Sequence, residues 1–455
     1  MVKAEPEMQI SLKLMVMKER NKVVFAEAGK DFVDVLFSLF TLPLGTIVRL
    51  VREESNIQPI KVGSLTSLYQ SVENLDKEFL STDSCKQMIL RPKNLMESYC
   101  KSLKLKIDDT EPTEYFVCNN LARMSSIQKP DLNKHKRISL GSSYIFDGFV
   151  NDSATFMITD DLRVVPNSLN IFFDLFKNCG IESMSAVNEM TVTITKNQVI
   201  DLLKSCLIST ITLTSMFLEK PYIEKYRKVE FPTLDVNEND SFKINVKIVQ
   251  RKSNGKVVFA EGKEDFADFL LSFLTVPLGG VVHLMEGFSC MYKSIRNLDQ
   301  NYWITNNVKK VFEPGLVSQL LVSNKLSPVL GSKYFCYTET KYKYSSSLNP
   351  YLSAYYLTLG DGNKCKAVDF VDLSKGYVKG PTLYMVTDDL VVTPMSTTSV
   401  ISLLTTMRIP FTDLEEKLVS IGIKEGFGIL QASLTSKSAL TTGLSHLINE
   451  VKQEN

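Results

Sequence analysis

The sequence predicts an α+β protein made of two homologous tandem units, each with small antiparallel hairpin-based sheets and packed helices. Three observations support this prediction. The string KVVFAE occurs twice, at 22–27 and at 256–261. In both places an alternating apolar and polar stretch precedes it, and an almost entirely apolar segment follows it. The later sequence blocks of the two halves then recur in the same order, which indicates that a complete structural unit was copied.

The duplication extends over nearly the whole chain. Residues 10–50 align with residues 244–284 without a gap, and about half of these positions are identical. Later, YQSVENLD is matched by YKSIRNLD, and GFVNDSATFMITDDLRVVPNS by GYVKGPTLYMVTDDLVVTPMS. The segment between the halves is charged and contains prolines, as linkers do. We therefore predict a first unit at 1–220, a linker at 221–241 and a second unit at 242–455.

Each unit is expected to begin with a strand, a turn, a second strand and a helix. Alternation over 10–16 and 244–248 predicts an edge-like strand with one buried face. Asn254-Gly255 offers the two positive-φ residues that a tight hairpin favours. The apolar helix should end before Pro43 or Pro277, with a strand after the turn.

The later block of each unit predicts a second hairpin with TDD at its turn, at 159–161 and 387–389. Ser168 and Ser396 follow at the positions expected for the N-caps of the next helices. The C-terminal segment, 414–448, is expected to form two or three short helices.

The first long helix of each unit carries a narrow polar line. Its members are Asp31, Asp34, Ser38 and Thr41 in the first copy, and Asp265, Asp268, Ser272 and Thr275 in the second. Their spacing places them on one stripe of a 3.6-residue helix. In one interpretation, Asp31 and Asp265 cap the helices and the other members face solvent. In the other, a polar seam faces a partner or a ligand, with Asp34, Ser38, Asp268 and Ser272 as its residues.

Composition argues against several classes of protein. Lysine and arginine (52) almost balance aspartate and glutamate (51), so no overall field favours nucleic acid or an anionic membrane. The eight cysteines are scattered, unlike a secreted disulfide framework, and the N-terminus lacks a secretory signal. The apolar stretch 32–51 is interrupted by Asp34, Pro43 and Arg49, so no membrane span is expected. These features favour the cytoplasm or the nucleus.

No specific catalytic or cofactor-binding motif occurs in the sequence. The pairs Asp160/Asp161 and Asp388/Asp389 could bind a divalent cation or act in acid–base chemistry. Aspartate at a tight turn more commonly accepts hydrogen bonds from nearby backbone amides. Glu27 and Glu261, before a glycine-containing loop, are the next candidates for a buried carboxylate. We predict no cofactor.

A tyrosine-rich stretch, 333–356, interleaves lysine with aromatic residues. Its candidate surface residues are Tyr334, Tyr337, Tyr342, Tyr344, Tyr351, Tyr355 and Tyr356. Such a composition is typical of a surface that contacts a protein or stacks on bases, and also of a strand pair that exposes alternate tyrosines.

Five segments carry a resemblance to a known family: KVVFAEAGKDFVDVLFSLFTLPLGTIVRL, LYQSVENLD, YCKSLKLKIDDTEPTEYFVC, GYVKG and YMVTDDLVVTPMST. Together they resemble the plant domain-of-unknown-function family 674. The resemblance implies a plant source, a duplicated architecture and no established biochemical activity, and it supplies no catalytic residues.

One feature of that family is missing from this sequence. Members often carry cysteine pairs spaced as in a zinc knuckle before the GYVKG block, whereas 119–146 and 337–375 contain no C-x-x-C. Cys118, Cys336 and Cys365 are what remains there. A structural zinc site usually needs four closely delivered ligands, so we predict that this chain binds no structural zinc.

These observations lead to two functional hypotheses. The first is a non-catalytic interaction or scaffold protein whose partner is a protein, with nucleic acid as a less favoured partner. The alternative is an enzyme or small-ligand binder with its site between the two units, where duplicated units often form a cleft.

Overall fold

The computed structural model describes most of both units. The described residues are 8–53, 62–81, 83–92, 94, 97–100, 102–110, 114–118, 136–138, 148–208, 211–218, 243–284, 290–304, 332–337, 357–358, 364–368 and 376–449. The predicted linker at 221–241 lies outside them, so the domain boundaries stay a prediction.

The fold is α+β, as predicted, with two five-stranded antiparallel sheets of matching strand order. The strands are β1 Ile10–Met17, β2 Lys22–Gly29, β3 Glu114–Cys118, β4 Lys136–Ile138, β5 Thr155–Thr159, β6 Val164–Pro166, β7 Val187–Ile194, β8 Ile244–Arg251, β9 Val257–Gly262, β10 Ser332–Tyr337, β11 Leu357–Thr358, β12 Lys364–Val368, β13 Tyr384–Thr387, β14 Val392–Pro394 and β15 Leu414–Ile421. The first sheet has the order β6-β5-β2-β1-β7 and the second β14-β13-β9-β8-β15.

Helices connect and cover these sheets. They are α1 Lys30–Ser38, α2 Leu44–Glu53, α3 Leu65–Asn74, α4 Asp83–Leu90, α5 Glu97–Cys100, α6 Leu169–Asn178, α7 Lys196–Ile208, α8 Thr212–Phe217, α9 Glu264–Ser272, α10 Leu278–Leu284, α11 Cys290–Asn297, α12 Thr397–Met407, α13 Ile423–Thr435, α14 Ala439–Gly443 and α15 Ser445–Asn449. None of these described helices is long and apolar enough to cross a membrane.

The two KVVFAE strings occupy equivalent places, β2 and β9, each the middle strand of its sheet. The prediction that the same structural unit occurs twice is therefore confirmed. The edge-like assignment of β1 and β8 was wrong, because β7 and β15 pair along their whole length on the far side. That pairing joins segments more than a hundred residues apart, and alternation within one strand carries no information about it.

Two other elements differ from expectation. Residues 44–53 form helix α2 and not a strand, because Leu44, Ile47, Val48 and Val51 recur at helical spacing and are all buried. Residues 414–421 form the edge strand β15 and not a helix. Local propensity is overridden in both places by what the segment packs against.

Turns and caps agree with the sequence more closely. Ser168 and Ser396 cap α6 and α12, accepting backbone N–H groups at 3.4 Å and 3.1 Å. The β8–β9 connection is longer than a two-residue hairpin, since Arg251 N donates to Lys256 O (2.9 Å) across it. Gly255 has positive φ there, and Asn254 does not.

The buried apolar side chains of both units form one common core. Each sheet presents one face to that core and the other to a single helix, α6 in the first unit and α12 in the second. A third sheet joins the units, with order β11-β12-β10-β3-β4 and a parallel pair between β3 and β10. The two units are therefore interlocked.

Candidate functional site

The two units meet around equivalent prolines. Pro43 and Pro277 face each other in an antiparallel bridge. Leu44 N donates to Val276 O at 2.9 Å, and Leu278 N donates to Leu42 O at 2.9 Å. Because each bond is the copy of the other, an approximate twofold axis passes between the prolines.

Each unit also extends a segment across this axis. In the second junction loop, 376–379, Tyr377 O accepts from Ser81 N (2.9 Å), and Lys379 N donates to Phe79 O (2.8 Å). In the first junction loop, 148–151, Asn151 N donates to Tyr302 O and Phe149 O accepts from Ile304 N, both at 3.0 Å. The junction thus contains two equivalent contacts, in each of which a loop of one unit bonds to a segment of the other unit.

A buried aspartate holds each junction loop. Asp34 Oδ1 on α1 accepts from Phe149 N (2.8 Å) and Val150 N (2.9 Å). Asp268 Oδ1 on α9 accepts from Tyr377 N and Val378 N at the same two distances. Burial raises the pKa of Asp34 to about 6 and that of Asp268 to about 7, against the lowering effect of these amides.

The solvent-facing interpretation of the polar line was wrong, because Asp34, Ser38, Asp268 and Ser272 are all buried. Ser38 donates to Val35 O and Ser272 to Phe269 O within their own helices. Nor do Asp31 and Asp265 cap the helices, whose N-cap positions are Gly29 and Lys263. Asp34 and Asp268 contact the junction loops, and binding of an outside partner or ligand by the four buried residues stays a prediction.

The first aspartate of each TDD turn fastens a C-terminal helix to the sheet. Asp160 accepts from the backbone N (2.8 Å) and the hydroxyl (2.7 Å) of Thr214, whose oxygen accepts from Val23 N (2.9 Å). Burial raises the pKa of Asp160 to about 6.

The second unit repeats this arrangement. Asp388 accepts from the backbone N and hydroxyl of Thr441 at 2.8 Å and 2.9 Å, and Val257 N donates to the same hydroxyl. Burial raises the pKa of Asp388 as well.

The second aspartate of each turn reaches the other unit. Asp389 Oδ2 accepts from Ser67 Oγ at 3.0 Å. Asp161 accepts from the thiol of Cys290, the residue that corresponds to Ser67. Although burial acts in the opposite direction, this bond and the one from Thr159 lower the pKa of Asp161. The turn carboxylates are thus used to hold the structure together in both copies.

Glu27, Glu261 and His446 have ordinary partners. Glu27 accepts from Asn167 at 3.3 Å, and Glu261 lies 3.5 Å from Lys247. His446 Nε2 lies 3.0 Å from Glu425 Oε1. Among the described residues, no group of three or more His, Cys, Asp or Glu side chains could hold a metal ion. The prediction of no structural zinc stays a prediction.

The family model for Protein of unknown function (DUF674) matches residues 6–424. The chain belongs to this family. No curated protein and no solved structure matches it. The resemblance inferred from the sequence blocks is therefore confirmed at the level of the family.

In this DUF674 chain the tyrosine-rich stretch is described only in part. Tyr334 and Tyr337 lie on β10, next to β12 and β3. The other predicted members, Tyr342, Tyr344, Tyr351, Tyr355 and Tyr356, lie outside the described residues. The same β10 register places Cys336 opposite Cys118 of the first unit. An interaction surface on this stretch stays a prediction.

Sequence reasoning missed an exposed apolar surface on the second unit. We call it the outer surface; it lies on the α12 side of the second sheet, and its residues are Leu383, Ile401, Met407, Phe411 and Leu418. Phe411 is 75% exposed and Leu418 is 79% exposed. One signal was available: TTSVISLLTTM, the α12 sequence, contains no charged residue, which is unusual for a helix at the surface.

The first unit carries a smaller version of this surface. Phe173 and Met184 are exposed at the positions that correspond to Ile401 and Phe411, and Leu169 is exposed beside Phe173 at the start of α6. Charge differs between the copies, since α6 contains Asp174 and Lys177.

Proposed function

We propose that this protein is a non-catalytic interaction protein that binds another protein through the outer surface of its second unit. The observation that supports the proposal is the uncharged helix α12, whose Ile401 and Met407 are exposed, together with the exposed Phe411 and Leu418 of the same unit. The central parts of protein interfaces are depleted in charge and enriched in aromatic residues and methionine. A set of exposed apolar side chains on one face is typical of an interaction site.

The chemistry of the outer surface restricts the partner. Ile401, Met407 and Phe411 offer aliphatic, thioether and aromatic contacts, with threonine and serine hydroxyls between them. Neither cationic nor anionic side chains on α12 are available to grip nucleic acid or acidic ligands. The part of the partner that contacts α12 is therefore expected to be an apolar protein surface with little charge.

The packing of the junction supports this proposal over a ligand site between the units. Phe37 stacks on Trp303 with ring centroids 5.5 Å apart, and Phe40 meets Tyr292 edge to face at 5.4 Å. These four aromatic side chains are buried and come from opposite units. They occupy part of the interface in which the alternative hypothesis places its site.

The test is quantitative affinity purification from the source tissue, followed by a binding measurement with the purified partner. Baits are the unmodified protein, the double variant Ile401→Glu/Phe411→Glu and the control Gln70→Glu/Asn74→Glu, which adds the same charge at exposed positions of α3. The partner should bind the unmodified and control proteins equally. Isothermal titration should show at least about a tenfold weaker affinity for the Ile401→Glu/Phe411→Glu variant, because buried charge without a counterion is costly at an interface.

Three results would contradict the proposal. In the first, the purified partner binds all three proteins equally. In the second, the apolar surface mediates only self-association, so that light scattering shows a dimer that the double variant loses. In the third, a stoichiometric metabolite is recovered with no protein, which favours the ligand-binding alternative. Circular dichroism and thermal melting establish that each variant is folded before its binding is compared.

A further inference from the structure

The two junction loops are held by the same aspartate but in opposite charge environments. One helical turn before Asp34 stands Lys30, whose Nζ lies 2.9 Å from Asp34 Oδ2 and 2.8 Å from Val150 O. The equivalent residue before Asp268 is Glu264. An ammonium group in the first unit is therefore replaced by a carboxyl group in the second.

Glu264 extends to the same place as Lys30 does. Lys30 Nζ lies 3.7 Å from Asp152, and the residue that corresponds to Asp152 is Gly380. A Cβ atom on Gly380 would lie 2.4 Å from Glu264 Oε1, so this carboxyl packs against the second junction loop. Its Oε2 is buried and makes no hydrogen bond among the described residues.

Within the described part of the chain, the strongest charge effects on Asp268 come from other carboxyl groups, and Lys379 of the loop itself is exposed. Glu264 and Asp265 on its own helix are acidic, and the phenols of Tyr377 and Tyr384 lie on the loop and on β13. From the first unit, the thiol of Cys85 on α4 lies 4.0 Å from Gly376 O.

Titratable groups on α3 and on the second sheet have partners elsewhere. Glu73 on α3 pairs with Arg52, and Tyr69 on α3 donates to Leu90 O. Lys247 and Glu261 on the second sheet pair with each other. The ion pairs formed within the described part of the chain include neither Asp268 nor Glu264.

We propose that the second junction loop is a proton-dependent latch between the two units, and that the ion pair with Lys30 makes the first junction loop less dependent on a proton. When both carboxyl groups are ionised they repel each other, and a bound proton relieves the repulsion. In the first unit Lys30 stands in the place of Glu264, so Asp34 faces an ammonium group and this repulsion does not arise. The loop transmits the effect because 377–379 form its backbone bonds to 79–81 of the first unit.

The direction of the pH dependence follows from the two aspartates. Burial, followed by Glu264 and Asp265, raises the pKa of Asp268 to about 7 in the closed latch. In an open, solvated loop it would return to about 4. The closed state thus binds the extra proton, so its stability is complete below about pH 4, falls as the pH rises to about 7 and is constant above that.

The closed first junction loop also binds an extra proton, on Asp34, but its stability changes over a narrower pH range. Burial raises its pKa and Lys30 opposes the rise, so its value is about 6. Between about pH 6 and pH 7, therefore, mainly the second latch weakens. The largest change in its opening equilibrium over that interval is about tenfold, since opening releases at most one proton and the interval is one pH unit.

The experiment is hydrogen exchange of the whole protein between about pH 5 and pH 8, corrected for the intrinsic exchange rate. Peptides containing Tyr377 and Val378 report the second latch, and peptides containing Phe149 and Val150 report the first. Protection at 377–378 should fall by severalfold, up to about tenfold, relative to 149–150 between about pH 6 and pH 7. The variant Glu264→Lys should remove this difference, and Lys30→Glu should produce the same pH dependence at 149–150.

Two results would overturn the proposal. One is equal pH dependence of the two loops in the unmodified protein. The other is a pH dependence at 377–378 that persists unchanged in Glu264→Lys. Because Glu264→Lys changes both the length and the charge of the side chain, Glu264→Gln is measured alongside it. This variant removes one charge with little change in shape and should shift the midpoint at 377–378 to lower pH.

Discussion

Gly148 and Gly376 are the residues that allow the buried aspartates to reach the junction loops. Both have positive φ, +78° and +60°. A Cβ atom on Gly148 would lie 1.9 Å from Asp34 Oδ2, and one on Gly376 would lie 1.8 Å from Asp268 Oδ2. Glycine is therefore required at both positions for two reasons: the backbone has positive φ, and the aspartate oxygen lies too close for a Cβ atom.

Gly148→Ala should destabilise the protein by at least about 3 kcal/mol. The substitution adds a left-handed backbone penalty of about 1–2 kcal/mol and displaces Asp34 from two amide hydrogen bonds. Gly180→Ala is the matched control: its φ is +70°, and nothing lies within 4 Å of the added Cβ atom. Urea denaturation of the two variants should show only the backbone penalty in Gly180→Ala. Equal losses would show that the contact with Asp34 is not important.

For individual residues, the sequence predicted the hydrogen bonds that form between near neighbours in the chain. The caps Ser168 and Ser396 were found because a cap and its amide are about three residues apart. The role of Asp34 was not found, because Phe149 and Val150 lie more than a hundred residues away along the chain. A buried aspartate and a solvent-facing one look the same on a helical stripe.

At the scale of elements, the short helix α8 is fastened to the first sheet by one threonine. Thr214 is buried and joins Asp160 on one side to Val23 N on the other. Two residues earlier, Thr212 is equally buried, but its hydroxyl has no hydrogen-bond partner within the described structure. The pair offers a comparison between a bonded and an unbonded hydroxyl on the same helix.

Thr214→Val should destabilise the protein by about 2–4 kcal/mol, because the buried Asp160 carboxylate loses one of its hydrogen bonds and the buried Val23 amide loses its partner. Thr212→Val should leave stability unchanged or raise it slightly, since it replaces an unbonded hydroxyl with a methyl group of similar size. The measurement is the free energy of unfolding in urea. Comparable destabilisation by both variants would contradict the assignment of Thr214 as the fastening residue.

Which elements could be predicted depended on where their partners are in the sequence. The hairpins β1–β2 and β5–β6 were recognised because both strands and the turn are contiguous. The helix α2 and the strand β15 were not, because the distant surfaces on which they pack determine their conformations. Alternation and β-branching are properties of the segment itself, whereas the surface on which it packs determines whether it forms a helix or a strand.

For the whole molecule, the duplication predicted two tandem units but not their exchange of segments. Residues 79–81 complete the second unit, and 302–304 complete the first. Each exchanged segment pairs with residues of the opposite half. Aligning the two halves therefore shows which sequence blocks are repeated, but not which blocks pair with each other. The approximate twofold axis at Pro43 and Pro277 is visible only once both units are folded.

This interlocking leads to a prediction about the separated halves, 1–230 and 231–455. Neither half should fold stably as a monomer, because its isolated junction would expose aromatic residues such as Phe37 or Trp303 that are buried in the whole chain. Produced together, the halves should associate as a one-to-one complex. Light scattering and thermal melting measure both properties.

Trp303 makes the association visible, because it is the only tryptophan in the chain and it stacks on Phe37 of the other unit. Its fluorescence in the half 231–455 alone should resemble that of a solvent-exposed indole. Adding the half 1–230 should shift the emission to shorter wavelength as the ring becomes buried. The variant Phe37→Ala in the added half should weaken the association, since truncating a buried aromatic residue costs about 3–5 kcal/mol. A cooperative thermal transition and a blue-shifted emission in the half 231–455 as a monomer would show that the units fold independently.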